Sequence, residues 1–230
     1  MSISFSAPNR LLTYCLLFFF ATGLSGCLTI EETYEFKRNG SGFMQYVVQL
    51  DDLADFLEAL QESEEGRDFD LPMEELSLDD LVPDLANVSG ISEINLINDQ
   101  EENRYGINFK FEHLAALNDA LNIILVDEQV STPHTFFSMD NNVIRRTHLM
   151  SKNSMAGKFI EQADESEKLR SVLQSMNYKL NFTFAKPIKV VYSVAEATLL
   201  GKKHKEVEIE ANLKDLIQDT EMLNTSIVLK

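Results

Sequence analysis

The sequence predicts an α+β domain, a curved antiparallel sheet built from hairpins and packed on one face by two or three amphipathic helices. Three observations lead there. Short runs of alternating apolar residues come in pairs joined by turn residues, apolar residues at helical spacing follow them, and no βαβ unit with a Gly-rich loop appears. The composition agrees: 230 residues, 44% hydrophobic and 25% charged, describe a globular chain of one domain or two.

The chain opens with an address. Arg10 precedes the apolar stretch of residues 11–24, and small residues follow, in the order of a secretory signal. As a spanning helix the run is short, 14 residues where the hydrocarbon core needs roughly 20, and no basic stop-transfer cluster follows. Leu24-Ser25-Gly26-Cys27 then resembles the lipobox of bacterial lipoproteins. That resemblance implies a cleaved signal peptide over residues 1–26, a thioether-linked diacylglycerol on Cys27, and in many bacteria a further acyl chain such as palmitate on the new amino group. Residues 27–230 would then form one envelope domain. One chain anchors only reversibly, whereas two or three make the attachment lasting. Leu28, not Asp, follows the cysteine. By resemblance to the Gram-negative sorting rule this points to the outer membrane, with the domain facing the periplasm. The two cysteines, Cys15 and Cys27, both precede residue 30, so the body of the chain has neither a disulfide framework nor a Cys-based metal site.

The mature elements follow in order. Ile30, Tyr34 and Phe36 mark a strand over residues 29–37, Asn39-Gly40-Ser41-Gly42 a tight turn, and residues 43–50 the returning strand. Asp51-Asp52 caps a helix whose Leu53, Phe56, Leu57 and Leu60 form one stripe. Between Asp51 and Asp84 there are 14 acidic residues and one base, Arg67, against 23 acids and 18 bases in the rest of the mature chain. The acidity is therefore regional, and residues 62–75, with weak apolar periodicity, read as a mobile acidic segment. Ser77-Leu78-Asp79-Asp80 reads as a capping box opening a short helix that Pro83 interrupts.

Strands at 91–97 and 104–111 form a second hairpin, with Tyr105, Ile107, Phe109 and Phe111 alternating, and Leu114, Leu117, Leu121, Ile124 and Leu125 return to helical spacing. A third hairpin spans 136–139 and 143–149 around Asp140-Asn141-Asn142, followed by a helix carrying Leu169, Val172, Leu173 and Met176. The last part offers strands at 178–184, 188–194, 207–211 and 225–229, with a helical turn at 213–217.

Chemistry is sparse. His113, His134, His148 and His204 show neither H-E-x-x-H nor H-x-H spacing, so they read as strand-end or surface residues rather than metal ligands. There is no mature G-x-S-x-G, no P-loop and no G-x-G-x-x-G. The acidic block lacks the EF-hand spacing. No catalytic residue and no cofactor are assigned, and the chain reads as a non-enzyme. A net charge of -17 argues against nucleic acid as a partner. Gly201-Lys202-Lys203-His204-Lys205 is the one basic cluster, either a solvated turn or a contact for anionic head groups near the anchor. The stripes Phe109/Phe111 and Tyr178/Leu180/Phe182/Phe184 are core, or the wall of an apolar cavity for an acyl chain.

The lipobox, the strand from Thr29 to Phe36, the Asn39-Gly40-Ser41-Gly42 turn and the strand into Leu50 together resemble LppM-like bacterial lipoproteins, and the later strands suit that pattern. The resemblance implies an α+β domain that binds lipid or glycolipid, with no catalytic residues to carry over. The ligand-binding residues stay unassigned. Two functions follow as expectations: an anchored module that binds a hydrophobic ligand or envelope component, or an assembly lipoprotein that docks a partner protein through its acidic region.

Overall fold

A computed structural model describes residues 29–49, 78–125, 132–148, 176–219 and 221–230. The signal peptide, Cys27, the stripe of residues 53–60, the acidic segment 62–75 and the helix expected before Met176 lie outside the described residues.

The strands are β1 (Thr29–Phe36), β2 (Gly42–Gln49), β3 (Ile91–Asp99), β4 (Arg104–Phe111), β5 (Phe137–Asp140), β6 (Val143–Arg146), β7 (Asn177–Phe184), β8 (Ile188–Ser193), β9 (Glu196–Leu200), β10 (Glu206–Asn212) and β11 (Thr225–Leu229). The helices are α1 (Leu81–Asn87), α2 (Leu114–Leu125) and α3 (Leu213–Gln218). All three expected hairpins form. The strands do not make one sheet, however. Seven form a sheet in the order β3-β4-β2-β1-β7-β10-β9, and four form a second in the order β5-β6-β11-β8. The α+β class holds, with a second sheet sharing the role expected of the helices. The alternation that marks a strand does not say which neighbour it pairs with, and two packed sheets leave the same period as one.

One pairing breaks the antiparallel expectation: β1 runs parallel to β7, with Tyr34 opposite Phe182 and Phe36 opposite Phe184. The register stacks those rings, with centroids 5.4 Å apart in each pair. Phe137, from the second sheet, meets Tyr34 edge-on at 4.8 Å and Phe36 at 5.7 Å. Aromatic contacts of this kind add to the area they bury. From α2, Leu117, Ala120 and Leu121 enter the same core, joined by Leu85 of α1 and by Leu213 and Leu216 of α3. Asn118 of α2 clamps the edge strand β5, donating to the carbonyl of Phe137 at 2.9 Å and accepting from its N–H at 2.7 Å.

Smaller departures have local causes. Pro83 does not interrupt α1, because it sits in the first turn, where the missing N–H would lack an intrahelical acceptor anyway. A 3-10 turn, Leu78–Asp80, leads into α1, whose N-cap Asp80 makes no side-chain capping bond, and Ser77, which opens the expected capping box, lies outside the described residues. Strand β9 escaped the sequence reading because all five of its residues are exposed and leave no apolar alternation. In the β1–β2 turn Gly40 has φ 84°, the left-handed region the turn needs.

The registers give the large sheet two distinct ends. Thr29, Gln49, Arg104, Asn177 and Asn212 share the near end, where β1 begins. Phe36, Gly42, Phe111 and Phe184 share the far end, about 23 Å away at ~3.3 Å per residue.

Candidate functional site

Every second residue of β1 faces the core: Ile30, Glu32, Tyr34 and Phe36 are all buried. Glu32 thus occupies an apolar position with a carboxylate, which must be compensated. The compensation comes from the other sheet. On β6, Ile144 and Arg146 point inward on the same period, and Arg146 is 2% exposed. Arg146 Nη2 donates to Glu32 Oε2 at 2.5 Å. Tyr34 Oη donates to the same oxygen, and Tyr178 Oη donates to Oε1. One carboxylate therefore receives a guanidinium and two phenols, joining β1 and β7 to β6.

The electrostatics fix the charge states. Burial pushes the Glu32 carboxyl up, but the Arg146 charge and the two hydroxyls outweigh it and hold the group below the usual carboxylate range. Burial likewise works against the Arg146 charge, and Glu32 more than restores it. Tyr34 and Tyr178 are raised well above the ordinary tyrosine value, first by burial and then by the adjacent carboxylate. Tyr46 is raised by the same two causes. At neutral pH the cluster is an ion pair surrounded by neutral phenols.

His148 closes the cluster just beyond β6. Arg146 Nη1 lies 3.3 Å from its Nδ1, its ring meets Tyr178 edge-on at 5.5 Å, and its backbone N–H donates to Asn224 Oδ1 at 2.7 Å. Burial and the Arg146 charge push its pKa down to about 3. The ring is therefore neutral, and Nδ1 accepts the Arg146 proton. Among the described residues, His148 Nε2 and Arg146 Nε find no hydrogen-bond partner.

Chemically this arrangement locks two sheets together. Glu32 is wholly buried, so it offers neither a base nor an acid to a substrate. The other histidines do different work: His113 Nδ1 accepts from the Ala116 N–H at the start of α2, His134 packs edge-on against Phe136 at 4.6 Å, and His204 is exposed in a turn at φ 48°. The described residues contain no group of three or more metal-ligating side chains. Tyr178, Leu180, Phe182 and Phe184 are all core residues, as are Phe109 and Phe111. The basic cluster at 201–205 is the turn that joins β9 to β10, as one of its two expected readings has it, and it sits at the far end of the sheet from Thr29. Cys27, the predicted lipidation site, lies outside the described residues.

The sequence reading missed Glu32, Arg146 and their tyrosines. A signal existed: Glu32 shares the parity of Ile30, Tyr34 and Phe36, and Arg146 shares that of Ile144. A charged residue on an inward parity calls for a partner of opposite sign on another inward parity.

No family model and no curated protein matches the chain. Among solved structures, the NMR structure of the folded domain of LppM from Mycobacterium tuberculosis is similar at a TM-score of 0.40 and 8% identity, covering 89% of this chain and 91% of that one. A likeness at that level transfers neither ligand nor anchor. Among the described residues no helix is long and apolar enough to cross a membrane.

Proposed function

We propose that the protein is a non-enzymatic envelope lipoprotein, held by acyl chains on Cys27 at the periplasmic face of the outer membrane, whose domain is a binding module for another envelope component. The observation that carries the reading is the spacing between anchor and fold. Leu24-Ser25-Gly26-Cys27 ends two residues before Thr29, the first residue of β1, and β1 is the fourth of seven strands. A lipid on Cys27 would pull directly on the centre of the sheet. Replacing Cys27 with serine should move the protein out of the membrane fraction into the soluble envelope fraction or leave it unprocessed and without label from a palmitate analogue. A serine variant that is processed, labelled and membrane-bound like the parent would reject the anchor.

Of the two occupants open to such a module, an acyl chain inside the fold or a partner outside it, the packing favours the partner. Leu180 is 0% exposed among the aromatic rings of both sheets. Leu180→Phe should therefore act as overpacking and cost about 1–3 kcal/mol in a urea melt, with no co-purifying lipid to lose. Lipid found by native mass spectrometry in the parent and reduced in this variant, with stability unchanged, would restore the internal ligand.

A further inference from the structure

The charge of the described domain is sorted along the sheet. Near the start of β1 lie Asp99, Glu101 and Glu102 of the β3–β4 turn, with Arg104 paired to Glu102 at 3.5 Å, Glu196 at the head of β9, and Asp215 and Glu221 beyond β10. The opposite end is basic. Several turns are tied together there by backbone bonds: Ala185 N–H to Phe36 C=O at 3.1 Å, Phe184 N–H to Lys205 C=O at 2.9 Å, Ile188 N–H to His204 C=O at 2.7 Å, and Lys230 N–H to Pro187 C=O at 2.9 Å. These bonds gather Lys37, Arg38, Lys186, Lys202, Lys203 and Lys205, against which stand Glu35, Asp140 and Glu206, with Glu112 where β4 finishes at the same end. In a chain of net charge -17 such a pole is not the average composition showing through. Beside the lysine turn, Leu199 is 41% and Leu200 38% exposed, on the edge strand β9.

We propose that this far pole is a docking surface for an anionic phospholipid bilayer, the lysines of residues 202–205 meeting phosphate head groups while Leu199 and Leu200 enter the interface. Lysine charge over exposed leucine is the composition by which a surface element binds a bilayer, whereas an acidic protein surface would use the charge and leave the leucines in water. The pole is separated from Thr29 by the length of β1, about 23 Å, far enough for it to meet a second bilayer brought against the domain while the anchor holds the first. That last step rests on the anchor reading above; the pole itself does not.

The test uses the full acylated chain in phosphatidylcholine vesicles, mixed with phosphatidylglycerol vesicles, with clustering followed by light scattering. Clustering is expected, and it should disappear when the salt concentration is raised tenfold. In Lys202→Ala/Lys203→Ala/Lys205→Ala the lipid required should rise by about 100-fold, at roughly fivefold per lysine. The substitutions fall in an exposed turn, and an unchanged melting midpoint would show that the variant folds. Leu199→Ser/Leu200→Ser should cluster more weakly and keep its salt dependence. No clustering, equal clustering of phosphatidylcholine acceptors, or a triple-lysine variant as strong as the parent would overturn the proposal. A leucine variant as strong as the parent, with polyglutamate displacing the vesicles, would reassign the pole to an acidic protein. Failure of the anchor is seen separately, as protein that does not float with the first vesicles. In that case co-sedimentation of the same chain with phosphatidylglycerol vesicles tests the pole alone.

Discussion

Arg146→Ala is expected to destabilise the domain by about 3–5 kcal/mol, the largest effect of any single substitution considered, because it leaves the Glu32 carboxylate buried without its counter-charge. The pair is closed to water, with Arg146 2% and Glu32 0% exposed. Neither group can recover its hydration without opening the contact between β1 and β6. The loss belongs to the broken pair and does not measure a net gain from having it. Replacing the whole cluster with apolar groups, as Glu32→Leu, Arg146→Met, Tyr34→Phe and Tyr178→Phe together, should recover most of the stability, since the buried charges and phenols go together and only His148 Nδ1 loses its donor. Urea unfolding of the single and fourfold variants checks both expectations. A single-variant loss under about 1 kcal/mol would mean that the cluster is open to water.

The second large effect is acid lability. The folded pKa of His148 is about 3 against an ordinary 6.5, so below pH 6.5 the unfolded chain takes up a proton that the folded chain refuses. Stability should therefore fall as the pH drops from 6.5 towards 3. Glu32 adds to this at lower pH. Its folded pKa lies below the ordinary 4.5, so its contribution is present above that value and is lost as the pH falls through the folded pKa. Of these two groups only the histidine acts between pH 6.5 and 5, at up to 1.36 kcal/mol per pH unit, or about 2 kcal/mol across the interval. His148→Phe should keep the ring contact with Tyr178 and abolish that slope. Chemical denaturation of both proteins at pH 7, 6 and 5 measures the difference. Parallel curves would show that the imidazole titrates normally in the fold.

Much of the secondary structure was legible because the inward and outward parities of the strands are clean. Tyr105 to Phe111 alternate in sequence and pair with β2 as a half-buried strand must. The stripe of Leu117 and Leu121 likewise announced α2. Topology was less legible. Nothing in the alternation of residues 137–146 says that they pair with the chain's last strand instead of extending the first sheet, and the parallel contact of β1 with β7 joins residues far apart in sequence. The buried cluster shares that difficulty, since Glu32 and Arg146 are separated by 114 positions. Glu31, Glu32 and Glu35 look alike in a strand until parity is applied, and only Glu32 falls on the buried side. The polarity of the domain was hidden for a further reason. Lys37, Lys186 and Lys205 come from separate turns, and only the register brings them to one end.

The central claim is that this sheet is held at its near end by a lipid on the residue two positions before β1. Mass spectrometry of the amino-terminal peptide from the membrane-bound protein measures it directly. The account predicts a mature chain beginning at Cys27, heavier than its sequence by a diacylglycerol, with or without a further acyl chain. A membrane-bound chain that begins elsewhere, or whose Cys27 is an unmodified thiol, would contradict it.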